Sequence, residues 1–331
     1  MKIISLFCGC GGMDLGLVKA GHEIVWANDN DEDSIRTYEN YFKVKLKHNK
    51  TIISLKDIKK VKTKDIPMAD VVVGGFPCQG FSIANTFRND NRKMESNNNV
   101  LYKQLLKVVR DKKPKYFIAE NVKGILSLGG YEKDNDKKEK EGIIMKNILK
   151  EMRGLGYKVS WKLLNAANFG VPQNRERVIF LGTRNNVKKT LTHPSITHST
   201  LNEDMFLKQT PTLWDAISDL ENKYGDPKIK NSLGSKYTVK INNYIGNRKT
   251  HKNKPSPTIV GRGGGTGGPI IIPHPKGKRR MSVREVARLQ SFPDNFEFMG
   301  SISSCYRQIG NAVAWPVAYA IGRQLNKISN R

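Results

Sequence analysis

Ala69-Asp70-Val71-Val72-Val73-Gly74-Gly75-Phe76-Pro77-Cys78-Gln79-Gly80-Phe81-Ser82 is the stretch that decides the reading of this chain. Three consecutive valines closed by two glycines predict a buried strand that stops abruptly. Cys78, directly after Pro77, then stands at the carboxyl end of that strand, where open α/β sheets place their ligands. Taken alone, Cys78 reads more readily as a structural cysteine in a tight turn. Three further stretches bear on the choice.

The first opens the chain. Lys2 to Phe7 is a strand candidate that runs into Cys8-Gly9-Cys10-Gly11-Gly12 and then an amphipathic helix from Met13 to Ala20. Strand, glycine-rich turn and helix form a nucleotide-type site, because glycines let the backbone approach a ligand closely. This is not the dinucleotide fingerprint, since Asp14 takes the place of the third glycine. A second strand, His22 to Ala27, ends in Asn28-Asp29-Asn30-Asp31. A carboxylate at that point commonly holds a ribose hydroxyl pair. Asp and Asn also favour helix N-caps, and a helix is expected to about Tyr41. Both readings can hold, with Asp31 as the cap and Asp29 as the ligand.

The second stretch is Lys115 to Ala119, a strand ending in Glu120-Asn121-Val122. It sets a carboxylate and the Cys78 thiol at equivalent strand ends one βαβ unit apart, and right-handed crossovers bring such ends side by side. Between them, 85–99 is polar, carries Arg88, Arg92 and Lys93, and reads as a long mobile loop beside the cysteine. Glu132 to Glu141 is nearly all charged and reads as a disordered surface insert. The third stretch is Asn168 to Arg177, which contains Gln173-x-Arg175-x-Arg177 and lies between strands expected at 157–164 and 177–182.

After Arg184 the βα alternation stops. Scattered aromatics, a basic run from Arg248 to Lys254 and the glycine tract Gly261 to Gly268 suggest a second, irregular, β-leaning domain. Ser282 with Glu285 has capping-box spacing and opens one of two closing helices. The division is therefore 1–184, 185–305, and a C-terminal segment 306–331 that returns to the first domain. Across 331 residues, 57 Lys+Arg against 30 Asp+Glu give a formal charge of +27, which suits a polyanionic partner. No apolar run reaches transmembrane length and no signal-peptide pattern opens the chain, so a cytoplasmic protein is expected. Four cysteines are too few for a disulfide framework, and the lone Cys8-x-Cys10 lacks the partners of a zinc site.

Over nearly its whole length the chain resembles the bacterial DNA (cytosine-5)-methyltransferases of restriction–modification type. Phe7-x-Gly9-x-Gly11-Gly12 resembles their S-adenosylmethionine loop, Pro77-Cys78-Gln79 their nucleophile motif and Glu120-Asn121-Val122 their cytosine-binding motif. Gln173-x-Arg175-x-Arg177, Arg284-Glu285-x-Ala287-Arg288-x-Gln290 and Gln308-Ile309-Gly310-Asn311-Ala312-Val313 are similar to further signatures, all in family order. Asp57 resembles the adenine-contacting Asp, with Lys56 where the family usually has Gly.

The resemblance implies an S-adenosylmethionine-dependent, Rossmann-like α/β sheet with a smaller, irregular β-rich target-recognition domain. It implies cofactor contacts from Phe7, Gly9, Gly11, Gly12, Asp29, Asn30, Asp57, Ile58, Pro77, Leu101, Asn311 and Val313. It places Cys78, Glu120, Arg175 and Arg177 in catalysis, and Gln79, Ser82, Arg88, Arg92 and Arg262 against double-stranded DNA. It also implies no metal, a monomer, S-adenosylhomocysteine as product and a cognate restriction endonuclease in the same system. The chemistry requires these residue types. Cytosine C5 is too weak a nucleophile to accept a methyl group until a thiolate adds at C6, and a carboxyl at the N3 edge stabilises the charge that develops. Arg175 and Arg177 read either as base or phosphate contacts or as a salt bridge at the sheet edge. Two other functions fit the same fold. An RNA cytosine-5 methyltransferase is disfavoured by the large 185–280 segment, and a decayed DNA-binding protein by intact Cys78, Glu120 and Asp29.

Overall fold

The structure, a computed structural model, describes residues 1–47, 50–77, 100–201, 205–236, 250–261, 263–264, 268–269, 273–277 and 279–329. Its centre is a seven-stranded sheet of β1 (Lys2–Leu6), β2 (Glu23–Asp29), β3 (Ile52–Leu55), β4 (Val71–Gly75), β5 (Tyr116–Val122), β6 (Tyr157–Asn165) and β7 (Glu176–Arg184). The spatial order is β3-β2-β1-β4-β5-β7-β6. β1 to β5 are parallel, and β7 runs antiparallel to both β5 and β6. The order reverses at β1, between β2 and β4, so the crevice beyond the carboxyl ends of β1 and β4 is the place for a ligand.

The consecutive valines of β4 follow from burial on both faces. Val71 and Val73 join one core with Tyr116, Ile118, Ile179 and Leu181, while Val72 joins the other with Phe117, Ala119, Val178 and Phe180. The first core is covered by α1 (Gly12–Lys19), α2 (Glu32–Glu39) and the C-terminal helices; the second by α3 (Val100–Lys112) and α5 (Ile143–Gly154), with α4 (Asp134–Glu139) preceding α5. Burying Leu15 or Val71 from a largely exposed state contributes about 1.5–3 kcal/mol each. α4 corrects the expectation of a disordered insert at 132–141. Asp136 accepts from the Lys133 N–H at 3.1 Å and pairs with Lys146 at 2.6 Å, so local charges that looked merely solvated close a helical turn.

Beyond β7, regular structure is sparse. Among the described residues it comprises α6 (Leu213–Ile217), single 3-10 turns, and two ladders of two-residue strands. One ladder pairs Gly263–Gly264 antiparallel with Gly268–Pro269. α7 (Val283–Leu289) is capped by Ser282, whose hydroxyl accepts from the Glu285 N–H. α8 (Ile302–Asn311) and α9 (Trp315–Ser329) follow. Val286, Leu289, Phe292 and Phe296 share the core of β1 and α1, so the chain re-enters that core before residue 306. Among the described residues no helix is long and apolar enough to cross a membrane.

Asp14, in the place of the third glycine, is fully buried. The Ser5 and Tyr38 hydroxyls donate to its two oxygens at 2.7 and 2.8 Å. Burial outweighs these bonds and raises its pKa to about 6. An acid with a raised folded pKa favours the folded state most when protonated, so stability is lost as pH rises from the unfolded value, near 4, through 6. Asp14→Asn removes that dependence. The stability of the variant relative to the parent is expected to grow by about 2.4 kcal/mol between pH 4 and pH 7. Urea unfolding at both pH values measures the difference, and a constant offset would show that Asp14 does not titrate in this window.

Candidate active site

Asp29 ends β2 at the crevice, and its carboxylate organises the turn beside it. It accepts the N–H of Gly9 at 2.8 Å, of Asn30 at 2.8 Å and of Asp31 at 3.0 Å. Burial raises its pKa against these three donors. Asp31 caps α2 by accepting from Ser34 N–H at 2.9 Å. Gly9 and Gly11 both take positive φ, as glycine-rich turns require, and Phe7 between strand and turn does so as well at 54°. A Cβ at Gly12 would collide with the Val313 carbonyl, so the loop and the segment after α8 meet only because that residue is glycine.

Phe7, Asp29, Asn30, Asp57, Ile58, Pro77 and Leu101, all expected at the cofactor site, share the wall of one open cleft. Asn28 and Lys56 complete the described wall and were not among the expected residues. Asp57 accepts from the Lys59 N–H at 2.9 Å and so also caps the turn that follows. Asn311 lies against Gly261, where a Cβ on the glycine would strike its side-chain oxygen.

Glu120 stands at the end of β5, in register with Gly75 of β4. A Cβ on Gly75 would lie 2.8 Å from Glu120 Oε2, so glycine here leaves space for the carboxyl. Arg177, in β7, donates from Nε to Glu120 Oε1 at 2.9 Å. Burial drives the Glu120 pKa up, and Arg177 and then Arg175 pull it down; the net direction is up. A carboxyl in that balance can carry a proton and donate it, while the guanidinium fixes its orientation. Asn121, buried beside it, donates to the Phe76 carbonyl at 3.0 Å and ties the end of β5 to the backbone that leads into Pro77.

The two arginines divide. Arg177 forms the salt bridge at the sheet edge, with Glu120 as partner. Arg175 is 1% exposed and turns to backbone: NH1 donates to Ile259 O at 2.8 Å, and NH2 to Gly310 O at 2.7 Å and Ala312 O at 2.8 Å. Burial holds its pKa well below the usual guanidinium value. Gln173 and Gln290, both fully buried, extend the network. Gln173 accepts from Ile259 N–H at 3.1 Å and donates to Gln290 at 2.5 Å, and Gln290 donates to Ala312 O at 2.7 Å. Sequence reasoning did not single out these glutamines as a hub; the only signal was their place within motifs. Cys78, Gln79, Ser82, Arg88, Arg92 and Arg262 lie outside the described residues.

A family model described as C-5 cytosine-specific DNA methylase matches residues 1–327. The Type II methyltransferase M.NgoFVII of Neisseria gonorrhoeae is 38% identical over 335 residues, covering 94% of this chain and 83% of that one. M.FnuDI of Fusobacterium nucleatum, also a Type II methyltransferase, is 33% identical, covering 99% of this chain and 94% of its own. Among solved structures, the methyltransferase EhMeth of Entamoeba histolytica superposes with a TM-score of 0.65 at 17% identity, over 100% of this chain and 99% of that one, and so shares the fold. A sheet that reverses at β1, a cleft at its carboxyl edge, a buried carboxyl beside it and a family match over nearly every residue lead to one assignment: this chain belongs to the C-5 cytosine-specific DNA methylase family.

Proposed function

We propose that this protein methylates C5 of a flipped-out cytosine in a specific duplex DNA sequence, using S-adenosylmethionine held in the cleft between Phe7, Asp29, Asp57, Ile58 and Leu101. The buried Glu120 carboxyl, oriented by Arg177 at the same sheet edge as the cleft, carries this reading. The cleft suits such a molecule: Asp29 and Asp57 offer acceptors for a ribose and an adenine amino group, and Phe7, Ile58 and Leu101 offer apolar faces. When bound, S-adenosylmethionine supplies an electrophilic methyl group and leaves as S-adenosylhomocysteine.

The protein's own residues do the rest. Cys78 as thiolate adds to C6 of the base, forming a C–S bond while the ring electrons move toward C5 and N3. Glu120 donates a proton to the N3 edge as that charge develops. After C5 has gained its methyl group, loss of the C5 proton to a base expels the Cys78 thiolate from C6, the N3 proton returns to Glu120, and the aromatic ring is restored. A base stacked in a duplex cannot reach a strand end inside a cleft, so it must leave the stack. Residues 1–184 with 306–331 form the catalytic part in this scheme, together with the α7 segment that packs into the same core. The rest of 185–305 reads the sequence, with Arg262 as a groove contact, and Arg88, Arg92, Gln79 and Ser82 contact DNA near the target. The two bacterial relatives carry the name Type II methyltransferase, which supports a restriction–modification setting; a partner endonuclease completes this reading.

Bisulfite sequencing of DNA from cells expressing the protein tests activity, base and sequence context together. Cys78→Ser is expected to abolish methylation while S-adenosylhomocysteine still binds, because a serine hydroxyl is a poor nucleophile at neutral pH. Methylation by the serine variant at the parent rate would exclude the covalent route, and transfer to tRNA in place of duplex DNA would move the substrate.

A further inference from the structure

Two walls of the cleft come from separate parts of the chain. One is Phe7, which opens the glycine turn after β1; the other is the Lys56-Asp57-Ile58 turn after β3. Their spacing must be set by something between them, and β2 is the strand between. At its carboxyl end Asn28 is in register with Leu6 on one side and Ser54 on the other.

Asn28 is 1% exposed and bonds both walls. Its backbone carbonyl accepts the Cys8 N–H at 3.0 Å, which fixes the glycine turn at its first residue. Its side-chain Nδ2 donates to the carbonyls of Ser54 and Lys56, both at 2.8 Å. The ordinary ladder carries β3 only to Leu55, paired with Asp29, so the bond to Lys56 holds the chain one residue beyond the strand, next to Asp57. Lys56 N–H in turn donates to Asp29 O at 3.1 Å, closing the connection. An apolar residue of similar size could occupy the space but would leave the two part-buried carbonyls without this donor. An aspartate would face both of them with acceptors.

We propose that Asn28 is the positioning residue of this cleft: its amide holds the Lys56-Asp57-Ile58 turn at the distance from the glycine turn at which one adenosine group contacts both walls. This rests on the reading of the cleft as the S-adenosylmethionine site. Asn28 acts through Asp57 and Ile58, so its effect must depend on them, whereas a residue that only stabilises the fold would act independently.

Calorimetry with S-adenosylhomocysteine as the probe tests this on the full chain, using Asn28→Ala, Asp57→Ala and the double variant. Loss of two hydrogen bonds of ordinary strength predicts about tenfold weaker binding for Asn28→Ala. In the Asp57→Ala background the same change is expected to cost less than about threefold, because the contact it positions is already gone. In turnover assays KM for S-adenosylmethionine should rise with kcat held, since chemistry occurs at Glu120 and not at this wall. If Asn28→Ala does not fold, Asn28→Asp keeps the volume and should weaken binding at least as much. Binding within twofold of the parent, or full additivity with Asp57→Ala, overturns the proposal. A parent protein that takes up no S-adenosylhomocysteine instead removes the cofactor reading, and the positioning role with it.

Discussion

Glu120→Gln is expected to lower the single-turnover rate of methyl transfer by about 10²–10⁴-fold, the usual range for losing a positioned general acid. The substitution keeps size and shape. Arg177 Nε approaches Oε1 at 2.9 Å and needs an acceptor, so the amide must present its oxygen there and its NH2 group to the base. That NH2 can form a neutral hydrogen bond but cannot release a proton as charge builds on N3. Glu120 is buried, and that burial raises its pKa despite two neighbouring arginines, which makes it easier to protonate than a free carboxyl. Cofactor affinity should stay unchanged, because Glu120 is not on the described wall of the cleft. Rapid-quench measurement at saturating S-adenosylmethionine is the check, and a rate within tenfold of the parent would remove Glu120 from proton delivery.

Arg175→Met is expected to have the largest effect on stability, about 4 kcal/mol. Charge-assisted hydrogen bonds contribute about 1.5–3 kcal/mol each, and three are lost here, offset in part by no longer burying a guanidinium. What remains is three buried carbonyls, of Ile259, Gly310 and Ala312, without this donor. These belong to the segment before the glycine tract and to the turn from α8 toward α9, so the variant should loosen the joint between the irregular segment and the sheet. Arg175→Lys should recover little, since one ammonium lacks the fork that spans the three acceptors. Urea unfolding gives the number. A loss below 1 kcal/mol would return Arg175 to the base-facing role that its motif suggests.

Much of the candidate site was legible in the chain because its signals are local. Strand, glycine turn and helix at 2–20, the acidic end of the second strand and the Glu120 strand end each fall within one short window, and a parallel sheet places all such ends at one edge. The capping box at Ser282 is local too. The α4 turn was missed although its contacts are near in sequence, because composition registers charge and not which carboxylate caps which amide.

By itself, then, the sequence determined the α/β class, the burial of β4, the setting of Glu120 at a strand end beside that of Cys78, and the family. The tertiary structure alone decided that Arg175 and Arg177 part company, that Gln173 and Gln290 form a buried hub, and that Asn28 joins the two walls of the cleft. The physical reason is distance along the chain. Residues two apart near a strand share a periodicity, so nothing in the pattern separates the two arginines. Their fates are set by partners: Glu120 for Arg177, and for Arg175 carbonyls 84, 135 and 137 residues away. A hydrogen bond to a backbone carbonyl leaves no mark on the identity of the residue that supplies it, so only the folded chain shows where such a side chain is used.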